Sequence, residues 1–238
     1  MAPTLAGTAL LAAVGPATKL PSLNISLHGS SGPSESLIII LVLTLLSVAP
    51  SLLILLTGFV QIVVVLSITR NALGLQATPP NQVLAGLALF LAIFIMAPTI
   101  KTVDHVAIQP YLHGQINAVQ AYDKAQTPIK EWMLSNTRTQ ELALFAQVNH
   151  QGTVAPTKVG MDAVIPAFLL SELHSAFIIG FIIFLPFLVI DLVVSSILMS
   201  LGMMMLPPTL VSLPFKLLLF VMVNGWTLVV HALLVSIK

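Results

Sequence analysis

Residues 163–201 read AVIPAFLLSELHSAFIIGFIIFLPFLVIDLVVSSILMSL, and this stretch decides the fold. It is almost entirely apolar, and it is about twice as long as the roughly 20 residues that a helix needs to cross a bilayer. Pro186 lies inside it, and few of its side chains carry charge. The stretch predicts a membrane helix that exceeds a hydrocarbon core of about 30 Å, which a tilt, a kink or burial against other subunits would accommodate.

Three further apolar stretches are long enough to cross a membrane: Leu37–Ile68, Gln82–Ile100 and Leu210–Ile237. The first contains Pro50 and Gly58 and would measure about 48 Å as one straight helix. Excess length together with internal proline favours helices that pack against other subunits over a simple lipid-exposed bundle. The pattern predicts an all-α membrane protein with about four long hydrophobic helices, kinked or broken, and a small helical extramembrane domain between the second and third.

Four segments follow from this pattern. Residues 1–36 are expected to form a signal peptide or a flexible N-terminal segment, and residues 37–101 a first helical hairpin of two spans. Residues 102–162 are expected to form the extramembrane helical domain. Residues 163–238 are expected to form a second helical pair, which includes a methionine-rich loop at 202–208.

The composition excludes several classes of function. Of the 238 residues, 57% are hydrophobic and only 7% are charged, and the mean hydropathy is +1.04. Soluble domains carry roughly 25% charged residues, so this chain cannot cover an aqueous surface. With a net charge of +1 and no basic cluster, no nucleic-acid partner is expected. The absence of cysteine excludes disulfides and cysteine-ligated metals.

The N-terminal residues leave two alternatives open. Leu5–Val14 is a short apolar run followed by Gly15, Pro16 and Ala17, which is typical of the apolar region of a signal peptide. However, the first positive charge is Lys19, which lies on the wrong side of that run. A cleaved signal and a weakly ordered leader both fit this pattern.

The polar region between the second and third apolar stretches begins at Lys101, where the second helix is expected to stop. Pro128 suits the first turn of a helix, and apolar residues recur after it at helical spacing. They are Ile129, Trp132, Met133, Leu142, Phe145 and Val148. Residues 151–153 and Pro156 indicate a loop. The positive-inside rule would place this region in the cytoplasm, but the region is close to the length at which that rule fails.

Charged side chains inside apolar segments are costly and usually functional or paired. Here they are Glu172, His174, Asp191 and Lys216. One hypothesis is a proton or ion relay through Glu172, His174 and Asp191. The favoured hypothesis is interhelical pairing of Glu172 or Asp191 with Lys216, because no second acid lies three or four residues from Glu172. No catalytic motif, metal ligand set or cofactor site is present in the sequence.

The loop after the third apolar stretch holds three consecutive methionines, Met203, Met204 and Met205, between Gly202 and the prolines at 207–208. Prolines end a helix, so the methionines are expected to project from irregular backbone. At membrane depth such backbone must be buried in protein or line a cavity. Methionine adapts to irregular shapes, so a ring of these loops could close around varied polypeptides. The simpler alternative is that the methionines fill gaps near a turn.

Several blocks resemble the FliP family of flagellar biosynthesis proteins, which includes the equivalent subunits of virulence type III secretion systems. These blocks are RNALG at 70–74, TPPNQVL at 78–84, GLALF at 86–90, FLVIDLV at 187–193 and PFKLLLF at 214–220. They run in order from about Leu37 to the C-terminus, and the flagellar system is favoured over the injectisome. The family's loop and packing motif corresponds to Arg70, Pro79, Pro80, Asn81 and Gln82.

The resemblance implies a pore-forming core subunit of the flagellar type III protein export gate. In that family several copies form a ring, a homopentamer, with FliQ and FliR, while FlhB and FlhA dock nearby. Unfolded flagellar subunits pass through the ring across the bacterial inner membrane, within the flagellar basal body. The resemblance also implies that Met203, Met204 and Met205 form a gasket around the channel, and that residues 102–162 are periplasmic.

Three positions depart from the family pattern. Gln61 stands where arginine is common, His174 where lysine is common, and Asn224 where aspartate is common. We hypothesise that the residues at 61 and 224 are the two remnants of one lost ion pair.

Two functions from other classes remain as alternatives to a structural export subunit that is not an enzyme. One is a proton-coupled small-molecule transporter that uses Glu172, His174 and Asp191. The other is an accessory subunit of a membrane enzyme, held by its many small and apolar helix faces.

Overall fold

A computed structural model describes residues 35–149, 155–203 and 205–237. Every regular element in these ranges is helical, which confirms the all-α prediction. The expected leader lies outside the described residues as far as position 34. The chain divides into two units, residues 1–47 and 48–238. In the first unit the described residues belong to a helix.

Nine α-helices, one π-helical segment and one 3₁₀ turn make up the described chain. They are α1 Glu35–Leu56, α2 Phe59–Ala72, α3 Asn81–Val103, the π-helical segment Asp104–Ile108, α4 Gln109–Leu112, α5 Ala118–Ser135, α6 Thr139–Val148, the 3₁₀ turn Pro156–Lys158, α7 Met161–Ser200, α8 Pro208–Met222 and α9 Gly225–Ser236.

Two continuous helical stretches of the described chain are long and apolar enough to cross a membrane, Asn81–Leu112 and Met161–Ser200. A third crossing results if α8 and α9, which meet at a bend of 64°, count as one span. The first expected span, Leu37–Ile68, is broken between α1 and α2 at Thr57 and Gly58. The expectation of long helices that are kinked or broken is therefore met, and α7 alone measures about 60 Å.

The second long helix does not stop at Lys101, as expected, but continues to Leu112. A single exposed lysine is a good helix former and gives the backbone no reason to end there. Pro110 instead explains the π-helical segment, because proline lacks an N–H and its ring would collide with the carbonyl four residues earlier. The N–H of Gln109 donates to the Asp104 carbonyl, and this wider turn accommodates the ring.

The stop signal for this helix is Gly114, which adopts a left-handed conformation with φ of 67°. Its N–H donates to the Tyr111 carbonyl at 3.0 Å, and the Gln115 N–H donates to the Pro110 carbonyl at 2.9 Å. This pair of bonds is the Schellman arrangement that ends many helices with glycine.

The helix of the polar region begins earlier than its proline suggested. Asn117 accepts a hydrogen bond from the Gln120 N–H, while the Gln120 side chain accepts one from the Asn117 N–H. This capping box starts α5 at Ala118, so Pro128 lies inside the helix and not at its first turn. The expected apolar side is partly correct: Trp132, Met133 and Leu142 are buried, Phe145 is half-buried and Val148 is exposed.

The long helix α7 packs against α2, α5, α6, α8 and α9, and so forms the centre of the second unit. It approaches α2 closely at Gly180, where an added Cβ would overlap the Ile68 side chain. Phe168 is fully buried and its ring lies 5.2 Å from that of Trp132. The outer surface of α7 is different: large apolar side chains such as Phe177 and Phe181 are exposed. In a membrane protein, lipid or neighbouring subunits must cover such a surface.

Candidate functional site: buried polar contacts and the methionine loop

Asp191 of α7 and Lys216 of α8 form an interhelical ion pair, with Nζ and Oδ2 2.6 Å apart. The lysine side chain is 4% exposed and the aspartate side chain 28%. Ser212 donates from its hydroxyl to the other carboxylate oxygen, Oδ1, at 2.6 Å. The pairing hypothesis named Glu172 or Asp191 as the partner of Lys216, and the structure brings together Asp191 and Lys216.

The same ammonium group also contacts α2. Lys216 Nζ donates to the Ala72 carbonyl at 3.1 Å, and Ala72 is the last residue of that helix. A cation at a helix C-terminus satisfies a free carbonyl and interacts favourably with the helix dipole. One side chain therefore fixes α2, α7 and α8 relative to one another.

Glu172 belongs to a separate buried cluster. It precedes Asp191 by 19 positions on the same helix, which corresponds to about 28 Å of helical rise. The Gln61 amide, oriented from its hydrogen-bond network, donates from Nε2 to both carboxylate oxygens at 3.2 Å. The amide oxygen of Gln61 accepts from the Ser236 hydroxyl at 2.8 Å. The cluster thus joins α2, α7 and the end of α9, and Gln61 and Glu172 are both almost fully buried.

This buried cluster also lies against the break between α1 and α2. A Cβ at position 58 would lie 2.8 Å from Ile237 Cδ1 and 3.5 Å from Glu172 Oε2. Gly58 therefore lets the break approach the cluster and the C-terminal end of α9.

His174 faces away from Glu172, because two positions along a helix correspond to a rotation of about 200°. Its Nδ1 lies 3.8 Å from the Glu141 carboxylate of α6. The relay hypothesis required Glu172, His174 and Asp191 to communicate, but each has different neighbours and Asp191 lies far along the helix. The described structure does not bring the three together, and it gives the transporter alternative no support.

Arg70 connects the two ends of the loop that joins α2 and α3. Its Nη1 donates to the Pro79 carbonyl at 3.0 Å and to Asn81 Oδ1 at 2.6 Å. Pro80 immediately precedes α3, and Gln82 is exposed in the first turn of that helix. Four of the five residues predicted as a loop and packing motif therefore lie together at this turn, and Gln82 points outward.

The methionine loop begins where α7 ends, and the end of α7 is defined by two backbone hydrogen bonds. Gly202 has φ of 71°, its N–H donates to the Met199 carbonyl at 3.1 Å, and the Met203 N–H donates to the Leu198 carbonyl at 3.0 Å. The two bonds form a second Schellman arrangement. Met203 is 43% exposed and Met205 is 99% exposed. Met204 lies outside the described residues.

Comparison with known proteins identifies the family. The model of the FliP family matches residues 42–233. This chain belongs to the FliP family. The flagellar biosynthetic protein FliP of Bacillus subtilis strain 168 is 51% identical over 216 residues, which cover 89% of this chain and 98% of that protein. FliP of Cereibacter sphaeroides is 49% identical, over 91% of this chain and 72% of that protein. FliP of Caulobacter vibrioides is 46% identical, over 97% and 88%.

Within one copy of this FliP family chain, positions 61 and 224 are not neighbours, so they do not mark an ion pair lost inside the chain. Gln61 contacts Ser236 at the end of α9, whereas Asn224 precedes the start of that helix. The length of α9 separates Asn224 from Ser236 by about 18 Å. Asn224 instead adopts the left-handed conformation, with φ of 52°, at the bend between α8 and α9.

Sequence reasoning missed two features of this FliP family chain. The first is that the Gln61 amide is the hydrogen-bond partner of Glu172. A lone amide in an apolar run is the signal that could have indicated a buried hydrogen bond. The second is the bend after α8, where a Cβ at Gly225 would overlap the Phe220 ring. Phe220 also makes an edge-on contact with Trp226, with 5.4 Å between ring centroids. An asparagine followed by a glycine within an apolar run is the signal that could have indicated this bend.

Proposed function

We propose that this chain is a structural, pore-forming core subunit of the flagellar type III protein export gate. Copies of it surround a channel through which unfolded flagellar subunits cross the bacterial inner membrane. Membership of the FliP family supports this role, and so do relatives named as flagellar biosynthetic proteins. The chain serves as a conduit and not as an enzyme. Its membership of the FliP family also supports a position in the flagellar basal body.

The observation that carries the proposal is the exposed apolar surface of α7. Few residues of its most apolar part are buried in the described chain. Exposed side chains there include Phe177, Ile178, Phe181 and Ile182. A helix of about 60 Å extends beyond a hydrocarbon core of about 30 Å, so lipid alone does not cover this surface. Neighbouring subunits provide the remaining cover.

The partners follow from the family. We propose a ring of several copies, a homopentamer, with FliQ and FliR as smaller membrane partners and with FlhB and FlhA nearby. The bilayer covers the surface that these partners leave free. Residues 102–162 lie on the periplasmic side, and the intramembrane polar contacts of Glu172, His174, Asp191 and Lys216 hold each copy in one shape.

Met203, Met204 and Met205 form the gasket of the channel in this proposal. The exposure of Met203 and Met205 supports this role, because a methionine that merely filled a gap would be buried. Flexible thioethers adapt to polypeptides of different shape while they hinder the passage of ions. Arg70, Pro79, Pro80, Asn81 and Gln82 shape the turn between α2 and α3.

A permeability assay tests the gasket. The chain is co-expressed with the neighbouring export proteins, and growth in high salt and dye entry report leakage of the inner membrane. Replacement of all three methionines by alanine should make the membrane leaky without reducing assembly. Met222→Ala is the matched control, because that methionine is 74% exposed at the end of α8, outside the loop. Equal leakage from the two variants, or leakage from neither, would contradict the gasket.

A further inference from the structure

The helical backbone is interrupted at two places that lie beside each other. Pro186 lies inside α7 and lacks the N–H that would donate to the Ile182 carbonyl. Asn224, with φ of 52°, separates α8 from α9, and these two helices meet at 64°. The ring of Phe187, next to the proline, lies 6.2 Å from the ring of Phe220, close to the bend. One interruption therefore lies in each arm of the segment that carries the methionine loop.

The segment between the two interruptions, residues 187–222, is a pair of antiparallel helical arms that we call the methionine hairpin. Asp191 of one arm accepts hydrogen bonds from Ser212 and Lys216 of the other. Both contacts join two residues of the hairpin itself. The hairpin can therefore move as a unit without separating opposite charges in a buried place, which would be costly.

The methionine hairpin is less embedded than the part of α7 that precedes it. Between positions 163 and 180, eight residues of α7 are buried. After Pro186, the buried residues of α7 are Phe187, Val194 and Leu198. Lys216 Nζ ties the hairpin to α2 through the Ala72 carbonyl, at 3.1 Å. That bond holds the hairpin in the state described here, and breaking it leaves the ammonium group paired with its carboxylate.

We propose that the methionine hairpin pivots as a unit about Pro186 and Asn224, and that this movement displaces the methionine loop. The 17 positions from Pro186 to Met203 correspond to an arm of about 25 Å, so a tilt of about 10° moves the loop by about 4 Å. The released state breaks the contact between Lys216 and Ala72 and keeps the ion pair of the hairpin. That the displacement opens a channel rests on the proposed function, whereas the pivot itself does not.

Double electron–electron resonance on the full chain in nanodiscs tests the pivot. Spin labels are attached to cysteines, since the chain has none of its own, and labelled chain is diluted with unlabelled chain so that distances within one copy dominate. The pair Val83→Cys and Met199→Cys spans the pivot, because Val83 lies in α3, which packs on α2. The pair Met199→Cys and Val221→Cys lies within the hairpin. All three positions are exposed. The first distance distribution should be about twofold broader than the second.

Pro186→Ala restores the missing N–H donor and removes the ring, so it should stiffen α7 at the pivot. The distribution that spans the pivot should narrow about twofold, to the width of the pair within the hairpin. Pro186 is exposed, so the substitution leaves no cavity in the described chain. Pro166→Ala is the matched control, because that proline lies inside the embedded part of α7, and it should leave the width unchanged.

Three outcomes would contradict the pivot. They are equal widths for the two pairs in the wild type, an unchanged width in Pro186→Ala, and equal narrowing in Pro186→Ala and Pro166→Ala. The composition of the complex, which tests the export-gate proposal, does not depend on any of these widths. The pivot and the proposed function can therefore fail separately.

Discussion

At the residue scale, the decisive feature is that two buried ionisable groups, Glu172 and Lys216, belong to separate clusters with different chemistry. Lys216 is paired with an opposite charge, whereas Glu172 receives hydrogen bonds from a neutral amide. A buried ion pair contributes little net stability, but removal of one partner leaves an uncompensated charge. The two clusters should therefore respond differently to neutralising substitutions.

The ion pair of Asp191 and Lys216 should show strong coupling. Lys216→Met and Asp191→Asn should each destabilise the chain by about 2–3 kcal/mol, below the full penalty for a buried pair because the aspartate is partly exposed. The double variant should lose less than the sum of the two single losses. Unfolding by SDS in mixed micelles measures the free energies. Simple additivity would show that the pair is not coupled.

The Glu172 cluster should tolerate loss of charge but not loss of volume. Glu172→Gln keeps an oxygen that accepts from the Gln61 amide, so its free energy of unfolding should change by less than about 1 kcal/mol. Glu172→Ala leaves a cavity and an unpartnered amide, and it should cost about 2–4 kcal/mol. The same SDS titration compares them. Equal losses would mean that the charge of Glu172, and not its packing, is what the fold requires.

Sequence alone identified the intramembrane charges and offered two acids as partners of Lys216, but it did not decide between them. Which acid reaches Lys216 depends on the register of α8 against α7, and that register is set by packing along both helices. The partner of Glu172 comes from α2, far away in sequence. The pattern of apolar residues carries no information about either contact.

At the element scale, glycines determine where helices end and how closely they approach. The missed helix end at Gly114 and the missed start at Asn117 both had recognisable signals, a glycine in the left-handed region and a capping box. Pro128 was misleading, because it lies inside α5 and not at its first turn. Pro110 widens its helix into a π-helical turn without ending it.

Gly180 is expected to be essential for the packing of α2 on α7. Gly180→Ala would place a Cβ 3.2 Å from the Cβ of Ile68 and closer to the ends of that side chain, so it should cost about 1–3 kcal/mol. Ile68→Ala should partly rescue it by making room. Unfolding in mixed micelles measures both.

Gly86→Ala is the matched control for that substitution, since nothing lies within 4 Å of a Cβ at position 86 of α3. The control should be neutral or stabilising by up to about 1 kcal/mol, because alanine restricts the unfolded chain more than glycine does. Equal destabilisation by Gly180→Ala and Gly86→Ala would show that helix conformation, and not contact with Ile68, decides the result.

The bend between α8 and α9 depends on Gly225. A side chain there would overlap the ring of Phe220, which also contacts Phe187 and Trp226. Gly225→Ala should therefore displace α9 and separate Ser236 from Gln61. Spin labels on cysteines introduced at exposed positions 199 and 228 would report the change, since the chain has no native cysteine. An unchanged distance distribution would contradict the role of this contact.

At the scale of the whole molecule, composition and the lengths of the apolar stretches predicted the helical class and the membrane setting. Pro50 and Gly58 indicated that the first expected span is interrupted, and the break lies at Thr57 and Gly58. The 64° bend between α8 and α9 was not predicted. The outer surface of α7 exposes large apolar side chains, which lipid or other proteins must cover.

The most direct test of the export-gate proposal is the composition of the complex that this chain forms. The chain is expressed with its neighbouring export proteins, purified in mild detergent and analysed by native mass spectrometry. We expect one discrete oligomer that contains several copies of this chain together with two smaller hydrophobic partners. A monomer or dimer that purifies without those partners would contradict it.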